Sequence, residues 1–195
     1  RGLGDVYKRQ IYTNSWASID LEKEAAESLI ADGCVLISQH ADTTGASTAC
    51  EKAGVPIVGY NVSMIATAPT QALTSASIDW GPYYTYAVKS VIDGTKIDTD
   101  WCKGYDDGAD KITELNDKAI AKGTKEKVKE VEDAIKDGSL HVFDTSTFTV
   151  DGKELDSWKD DNGNEYIKDG YFHESELHSA PAFAINIDGI ESVEK

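Results

Sequence analysis

The residues best suited to do chemistry lie in four loops, each of which follows a strand-like segment. Ligands of parallel α/β proteins bind at the carboxyl ends of the strands, so these loops should meet at one edge of a sheet. Their candidate ligand-binding residues are Trp16, His40, Asp42, Asn61, Ser63, Asp79 and Trp80. An indole ring can stack on a planar heterocycle, which contributes about 1–3 kcal/mol, while short polar groups bond its edge. The sequence therefore predicts a site for a planar, polar small molecule.

Several of these residues also have a purely structural explanation. Asp42 could be the N-cap of a helix that begins at Thr43, and Asp79 could cap the next helix; for both, capping and ligand contact remain open. A single Trp can plug the end of a sheet against a helix. His40 could be a general base, but no nucleophile motif accompanies it, and a buried or solvent-facing histidine is favoured.

Motifs that would indicate catalysis or metal binding are missing from the sequence. It contains no Walker A motif, no G-x-G-x-x-G and no H-E-x-x-H. The acidic run from Asp156 to Glu165 does not match a calcium-binding loop. Cys34, Cys50 and Cys102 form no C-x-x-C pair, and we expect Cys34 and Cys50 to be buried free thiols. We therefore predict a protein that is not an enzyme, with no catalytic residue, metal or cofactor.

Composition and charge exclude further classes of function. The 195 residues include 19 Lys and Arg against 35 Asp and Glu, a formal net charge of −16. Such a chain is repelled by nucleic acids and by anionic membrane surfaces. No stretch approaches the ~18 apolar residues of a membrane span.

Hydrophobic periodicity predicts strands and helices in alternation, which is typical of a parallel sheet flanked by helices. We expect Asp20 to be the N-cap of the first helix and Cys34–Ser38 to be a strand covered on both faces. The predicted strands are Ile11–Thr13, Cys34–Ser38, Val55–Tyr60, Ala72–Ile78, a short one around Lys111–Thr113, Leu140–Phe143 and, last, Ala182–Ile187. The predicted helices are Asp20–Ile30, Thr43–Lys52, Gly81–Ile92 and Thr124–Lys136.

Three regions of the chain differ in composition and in hydrophobic pattern. Residues 1–10 lack an initiator Met and resemble translated adapter sequence, so we predict that they are not native and that the chain is a fragment. Residues 11–143 carry the α/β pattern. Residues 144–195 hold 13 acidic and 4 basic side chains, and the dipeptides Asp151-Gly152 and Asn162-Gly163 predict β-hairpin turns. We expect this acidic extension to contain a β-hairpin and then a polar link through 179–182.

The order and spacing of several motifs resemble one family, the basic membrane protein (BMP) family of substrate-binding lipoproteins. The resemblance runs from about Ile11 to Phe143, and more loosely into the tail. The motifs that carry it are Asn14–Trp16, Glu22–Gly33, Gln39–Gly45, Gly59–Met64, Leu73–Tyr84 and Val91–Thr95. Members of this family serve ABC importers for purine nucleosides and related compounds.

This resemblance implies a type I periplasmic-binding-protein fold: two α/β lobes joined by hinge strands, with the ligand closed between them. Residues 11–143 would then be the second lobe and the hinge returns, with the first lobe missing. Trp16 matches the aromatic residue that follows the first strand of the second lobe. His40 and Asp42 match the polar loop that faces the cleft, and Trp80 matches a cleft aromatic of a subgroup. Asn61 and Ser63 fall where many relatives carry Asp-x-Asp, so a nucleobase becomes as plausible as a nucleoside.

The resemblance also implies partners and a location. It implies a small-molecule ligand, ABC permease subunits as partners, and an extracytoplasmic protein held by a lipid anchor that precedes this fragment. Two alternatives remain. One is a ligand-sensing regulatory domain of the same fold, and the other, less favoured, is a nucleoside hydrolase, for which Asp106 and Asp107 alone supply no adequate acidic cluster.

Overall fold

The computed structural model describes residues 8–173, 176 and 185–192. The chain forms two compact units, each assembled from separate segments. The sheet unit consists chiefly of Arg9–Asp79 and Asp110–Lys129, and the meander unit chiefly of Trp80–Ala109 and Glu130–Glu191. The predicted division at residues 143 and 144 stays a prediction.

The sheet unit contains the α/β architecture expected from the sequence. Four strands lie side by side in chain order; the first three are parallel, and the fourth is antiparallel to the third. Two helices pack against each other and on the sheet. The bounds are α1 Ile19–Ala31, β2 Ile37–Ser38, α2 Gly45–Ala53, β3 Ile57–Tyr60, β4 Ala72–Ile78 and β5 Asp110–Ile112. A short strand β1, Lys8–Gln10, precedes them, so the predicted strand at Ile11–Thr13 is wrong.

The helix ends follow local chemistry, with one correction. Ser18, not Asp20, is the N-cap of α1: its backbone is extended and its side chain accepts a hydrogen bond from the Leu21 N–H. Asp20 already lies inside the helix, in its first turn. Gly54 ends α2 in the left-handed conformation that glycine adopts without a steric penalty.

The predicted strand Cys34–Ser38 is a second correction. Only Ile37 and Ser38 form a strand, and it lies at the edge of the sheet. Val35 and Leu36 are 82% and 51% exposed, so they are not covered on both faces. A run of apolar residues in the sequence indicates that a strand is buried, but it does not indicate whether the strand lies at the centre or at the edge of its sheet.

Small side chains let the helices approach the sheet closely. Ile57 and Cys50 are completely buried at the centre of this core. The core residues are Ala26, Ile37, Ala46, Ala49, Cys50, Ile57, Met64, Ala68 and Ala72. Cys34 is only half-buried and packs at the margin, which corrects the expectation that it would be buried.

Burial makes the Cys50 thiol unreactive in the folded protein. It raises the pKa of the Cys50 thiol to about 11, so the thiolate that reacts with disulfide reagents is scarce at pH 8. We expect Ellman's reagent to modify Cys34 and Cys102 rapidly in the native protein and Cys50 only after denaturation. Cys50→Ala should leave the rapid phase unchanged. A rapid phase that loses one thiol in this variant would contradict the prediction.

The meander unit contains a helix and an antiparallel three-stranded sheet. The three strands form a meander in which Tyr166 and Ile167 are completely buried. The bounds are α3 Gly81–Asp93, β6 Trp158–Lys159, β7 Glu165–Lys168, β8 Tyr171–Phe172 and β9 Ile190–Ser192. A further helix, α4, spans Thr124–Lys136, as predicted. The predicted hairpin at Asn162-Gly163 is the β6–β7 turn.

Other predictions in this unit fail or fall outside the described residues. Leu140–Phe143 is not a strand but leads into a turn, with Val142 exposed. Helix α3 has the predicted apolar face, yet Val88 and Val91 on it are exposed. The predicted link at 179–182 and residues 182–184 of the last strand lie outside the described residues, while 185–187 are not a strand.

Hydrogen bonds to Asp188 join two distant segments of the acidic extension. Its carboxylate accepts hydrogen bonds from the Thr149 hydroxyl and, at 2.9 Å, from the Gly152 N–H. These bonds, that from Thr149 first, lower the pKa of Asp188 below its ordinary value of 3.8. A carboxylate with a lowered folded-state pKa stabilises the fold above its ordinary pKa, and that stability is lost as the pH falls through the lowered value.

We therefore expect Asp188→Ala to lower the thermal midpoint most at pH 7, with a smaller difference from wild type well below pH 3.8. Midpoints measured across this pH range test it. Asp161→Ala, which removes an exposed carboxylate from the same region, is the control. A deficit that does not change with pH would show that the charge of Asp188 is not involved.

Candidate ligand-binding site

The loops after β2, β3 and β4 meet at the carboxyl edge of the sheet, as predicted from the parallel arrangement. The Asp42 N–H donates to the Trp16 carbonyl oxygen at 3.0 Å, and this bond joins the loop before α1 to the loop after β2. The His40 ring lies 5.6 Å from the Tyr60 ring, centroid to centroid, so the loop after β2 also lies beside the end of β3. Trp16, His40 and Asp42 therefore lie in adjoining loops.

Asn61 is held by its backbone rather than by its side chain. Its φ of +64° is in the left-handed region, which Asn tolerates better than most residues. Its N–H donates to the Ala76 carbonyl oxygen at 2.6 Å, and its carbonyl oxygen accepts the Ser77 hydroxyl at 2.7 Å. These bonds fix the end of β3 against β4 and leave the Asn61 side chain exposed.

Asp79 forms an ion pair and lies one residue before the N-cap position of α3. Its Oδ2 lies 2.7 Å from the Nζ of Lys111, and both side chains are partly exposed. The N-cap position of α3 belongs to Trp80, which makes no side-chain capping bond. Beside Lys111, Asp110 pairs in register with Ile78, and burial raises the pKa of Asp110 above its ordinary value. This corner of the edge thus carries the Asp79–Lys111 ion pair.

Ser63 is engaged within the protein. Its hydroxyl donates to Glu114 Oε1 at 2.8 Å and also lies 3.5 Å from the Ile65 N–H. A ligand that binds Ser63 would have to compete with Glu114 for the hydroxyl. Its role in a site therefore stays a prediction.

The two candidate tryptophans are exposed, which removes one of the structural explanations for them. Trp16 is 83% exposed and Trp80 is 55% exposed, so neither is buried as a plug against a helix would be. Trp80 belongs to the meander unit, where its ring centroid lies 6.4 Å from those of Tyr83 and Tyr84. Trp101 extends this aromatic cluster, 5.4 Å from Tyr83.

Asp42 is likewise not the N-cap that one alternative suggested. That position belongs to Thr44, which makes no side-chain capping bond, while Asp42 is exposed two residues earlier. The structural explanation for Asp42 is therefore wrong.

The sequence did not single out Lys111 as a site residue. Its short strand was predicted, but not its antiparallel pairing with β4, which brings it beside Asp79. Within residues 8–173, 176 and 185–192, no cluster of three or more His, Cys, Asp or Glu side chains is arranged to hold a metal ion. The same part of the chain contains no helix that is both long and apolar enough to span a membrane.

A profile of the family described as ABC transporter substrate-binding protein, PnrA-like, matches residues 6–141. The chain belongs to this family. The match covers the sheet, both of its helices and all seven candidate residues, and it confirms the resemblance found in the sequence. It begins inside the segment 1–10, whose non-native origin stays a prediction.

Two curated proteins are similar in sequence to this PnrA-like chain. A purine-binding protein of Brucella abortus is 33% identical over 77% of the chain. A putative ABC transporter glucose-binding protein of Haloferax volcanii is 29% identical over 74% of the chain. The chain spans only 42% and 37% of the lengths of these relatives.

Solved structures support the fold. An ABC transporter solute-binding protein from Conexibacter woesei matches with a TM-score of 0.51 at 21% identity, over 67% of this chain and 44% of that one. A transcriptional activator of the comK gene from Bacillus halodurans matches with a TM-score of 0.59 at 15% identity, over 67% and 47%. At these identities the likeness shows a shared α/β fold.

Proposed function

We propose that this chain is part of the solute-binding component of an ABC importer and that it binds a purine nucleoside or nucleobase at the carboxyl edge of its sheet. The observation that carries the proposal is the exposed Trp16 indole in a loop joined to that of His40 and Asp42, in a chain of the PnrA-like family. An exposed indole beside polar groups is what a flat, hydrogen-bonding ligand requires.

Each candidate residue has a chemical role in this proposal. Trp16 offers a face on which a base can stack, and Asp42 and the Asn61 amide can bond the polar edge of the ring. Trp80, the residue after Asp79, is a separate candidate stacking face. Asp79, paired with Lys111, can accept from a ribose hydroxyl or a ring N–H.

The printed names of the two relatives differ in ligand, one purine-binding and the other glucose-binding. We favour a purine because the relative of higher identity is named for purines and because the exposed Trp16 indole suits a heterocycle. Because Asn61 and Ser63 are neutral, a ribose would find no carboxylate at these two positions, so a free base is as suitable as a nucleoside.

The proposed mechanism is binding without turnover. A ligand held between two lobes stabilises the closed state only to the extent that it binds that state more tightly than the open one. The permease subunits would recognise the closed, loaded form. In this proposal the protein is extracytoplasmic and anchored by an N-terminal lipid.

The alternative is a ligand-sensing regulatory protein of the same fold, and genomic sequence separates the two. We would sequence the locus on both sides of the codon for Ile11. Permease and ATPase genes nearby, with an export signal ending in a lipid-attachment Cys, would support the importer. A frame that joins this chain to an effector or DNA-binding module would overturn it in favour of the sensor.

A further inference from the structure

A buried carboxylate lies beneath the loop that carries His40 and Asp42. Glu22, on α1, is only 3% exposed. Its Oε2 accepts the Thr43 N–H at 3.2 Å, and its Oε1 accepts the Ser18 N–H at 3.3 Å. One side chain thus bonds the end of the loop that contains Trp16 and the end of the loop that contains His40 and Asp42.

A second buried side chain holds the same loop from within. Gln39 is 6% exposed, and its Nε2 donates to the Ala41 carbonyl oxygen at 2.9 Å and the Thr43 carbonyl oxygen at 2.7 Å. Its Oε1 accepts the hydroxyl of Ser47, which lies on α2. The hydrogen bonds of Gln39 therefore stabilise a compact turn at residues 39–43 and link that turn to α2.

These bonds explain why two polar side chains are buried next to an exposed loop. A buried carboxylate or amide is costly unless hydrogen bonds replace its water. Both side chains are satisfied here chiefly by backbone groups of loop residues, and the Asp42 N–H adds a bond to the Trp16 carbonyl oxygen. The order of the loops thus depends on α1, on Gln39 and on one another.

We propose that Glu22 and Gln39 are positioning residues, which hold the loops of Trp16, His40 and Asp42 in their binding arrangement before the ligand arrives. This inference rests on the proposed ligand site. A loop that is already ordered loses less conformational entropy on binding, so affinity increases without a new contact to the ligand. Neither residue needs to touch the ligand.

Amide hydrogen exchange of the unliganded protein tests the hydrogen bonds themselves. Glu22→Gln keeps the shape but replaces one acceptor oxygen with an NH₂ group, and Gln39→Met keeps the length but removes both donors. The remaining side-chain oxygen can accept from only one of the two amides, so we expect the Thr43 or the Ser18 amide to exchange at least about tenfold faster in Glu22→Gln. The Ile57 amide, which bonds the Gln71 carbonyl oxygen in the core, should be unchanged and so reports that the fold is intact.

Glu27→Gln is the matched control, because it makes the same change of charge on an exposed turn of the same helix. Calorimetric titration with adenosine and guanosine then tests the link to binding. We expect Glu22→Gln and Gln39→Met to weaken affinity about three- to tenfold and Glu27→Gln to have no effect.

The outcomes separate this inference from the proposed function. Faster exchange of the Thr43 or Ser18 amide in Glu22→Gln together with weaker binding supports positioning. Unchanged exchange of both amides in this variant overturns it, and so does faster exchange with unchanged affinity. A wild-type protein that binds no purine overturns the proposed function. In that case the exchange result alone decides whether Glu22 and Gln39 order the loops.

Discussion

Trp80→Ala should weaken purine binding at least about tenfold, equivalent to about 1.4 kcal/mol, in the full-length protein. Trp80 is 55% exposed at the N-terminus of α3, and its indole face can stack on a base with an energy of about 1–3 kcal/mol. Isothermal titration calorimetry measures the loss directly. Because the side chain is half exposed, its removal should change the thermal midpoint little.

Trp80→Phe provides the matched variant. It keeps an aromatic face at the same position and should retain most of the affinity. If the dissociation constant of Trp80→Ala equals that of wild type, Trp80 is not a stacking surface. If Trp80→Phe loses as much affinity as Trp80→Ala, the indole N–H rather than the ring face would be responsible.

Gly45→Ala should destabilise the protein by about 1–3 kcal/mol, because no room exists for a methyl group where α1 crosses the start of α2. A Cβ at Gly45 would lie 2.3 Å from the Ile19 carbonyl oxygen and 3.0 Å from the Lys23 backbone nitrogen. Backbone atoms inside a helix cannot move aside singly, so the two helices would have to separate. The shift would also reach Thr43 and the loop that contains Asp42.

Urea unfolding followed by circular dichroism tests this prediction. Gly104→Ala is the control, since the nearest atom to a Cβ at that glycine is Asp106 Oδ1 at 3.8 Å. We expect a lower urea midpoint only for Gly45→Ala. Equal midpoints for the two variants would mean that α1 and α2 do not approach as closely as the structure indicates.

The elements predicted most accurately from the sequence are those whose ends have local chemical causes. Strand β4 has the predicted bounds, Ala72–Ile78, and α4 has the predicted bounds, Thr124–Lys136. Helix α3 begins as predicted at Gly81, next to Pro82, whose fixed φ suits a first turn. In such cases neighbouring residues determine the structure.

The failures depend on distant parts of the chain. Leu140–Phe143 has an apolar strand pattern, but the chain turns there instead. Val35 and Leu36 look like core residues but flank an edge strand, because the neighbours of a strand are set by the whole sheet. Hydrophobicity along the sequence does not contain that information.

The same contrast between local and distant causes applies to the residues of the candidate site. The rule that ligands bind where parallel strands end led to His40 and Asp42, which follow β2. Trp16 was chosen because of a strand that does not form, yet an Asp42–Trp16 backbone bond joins its loop to theirs. The rule missed Lys111, because its contact with Asp79 arises from the antiparallel pairing of β5 with β4. Glu22 was overlooked for a different reason: a carboxylate in the first turn of a helix is usually exposed.

Calorimetric titration of the full-length wild-type protein tests the proposed purine binding most directly. Adenine, adenosine, guanosine and glucose would be titrated separately under the same conditions. We expect saturable binding of one purine per protein molecule and no saturable heat from glucose. Saturable binding of glucose alone, or no heat from any purine at millimolar concentration, would contradict the assignment of this sheet edge as a purine site.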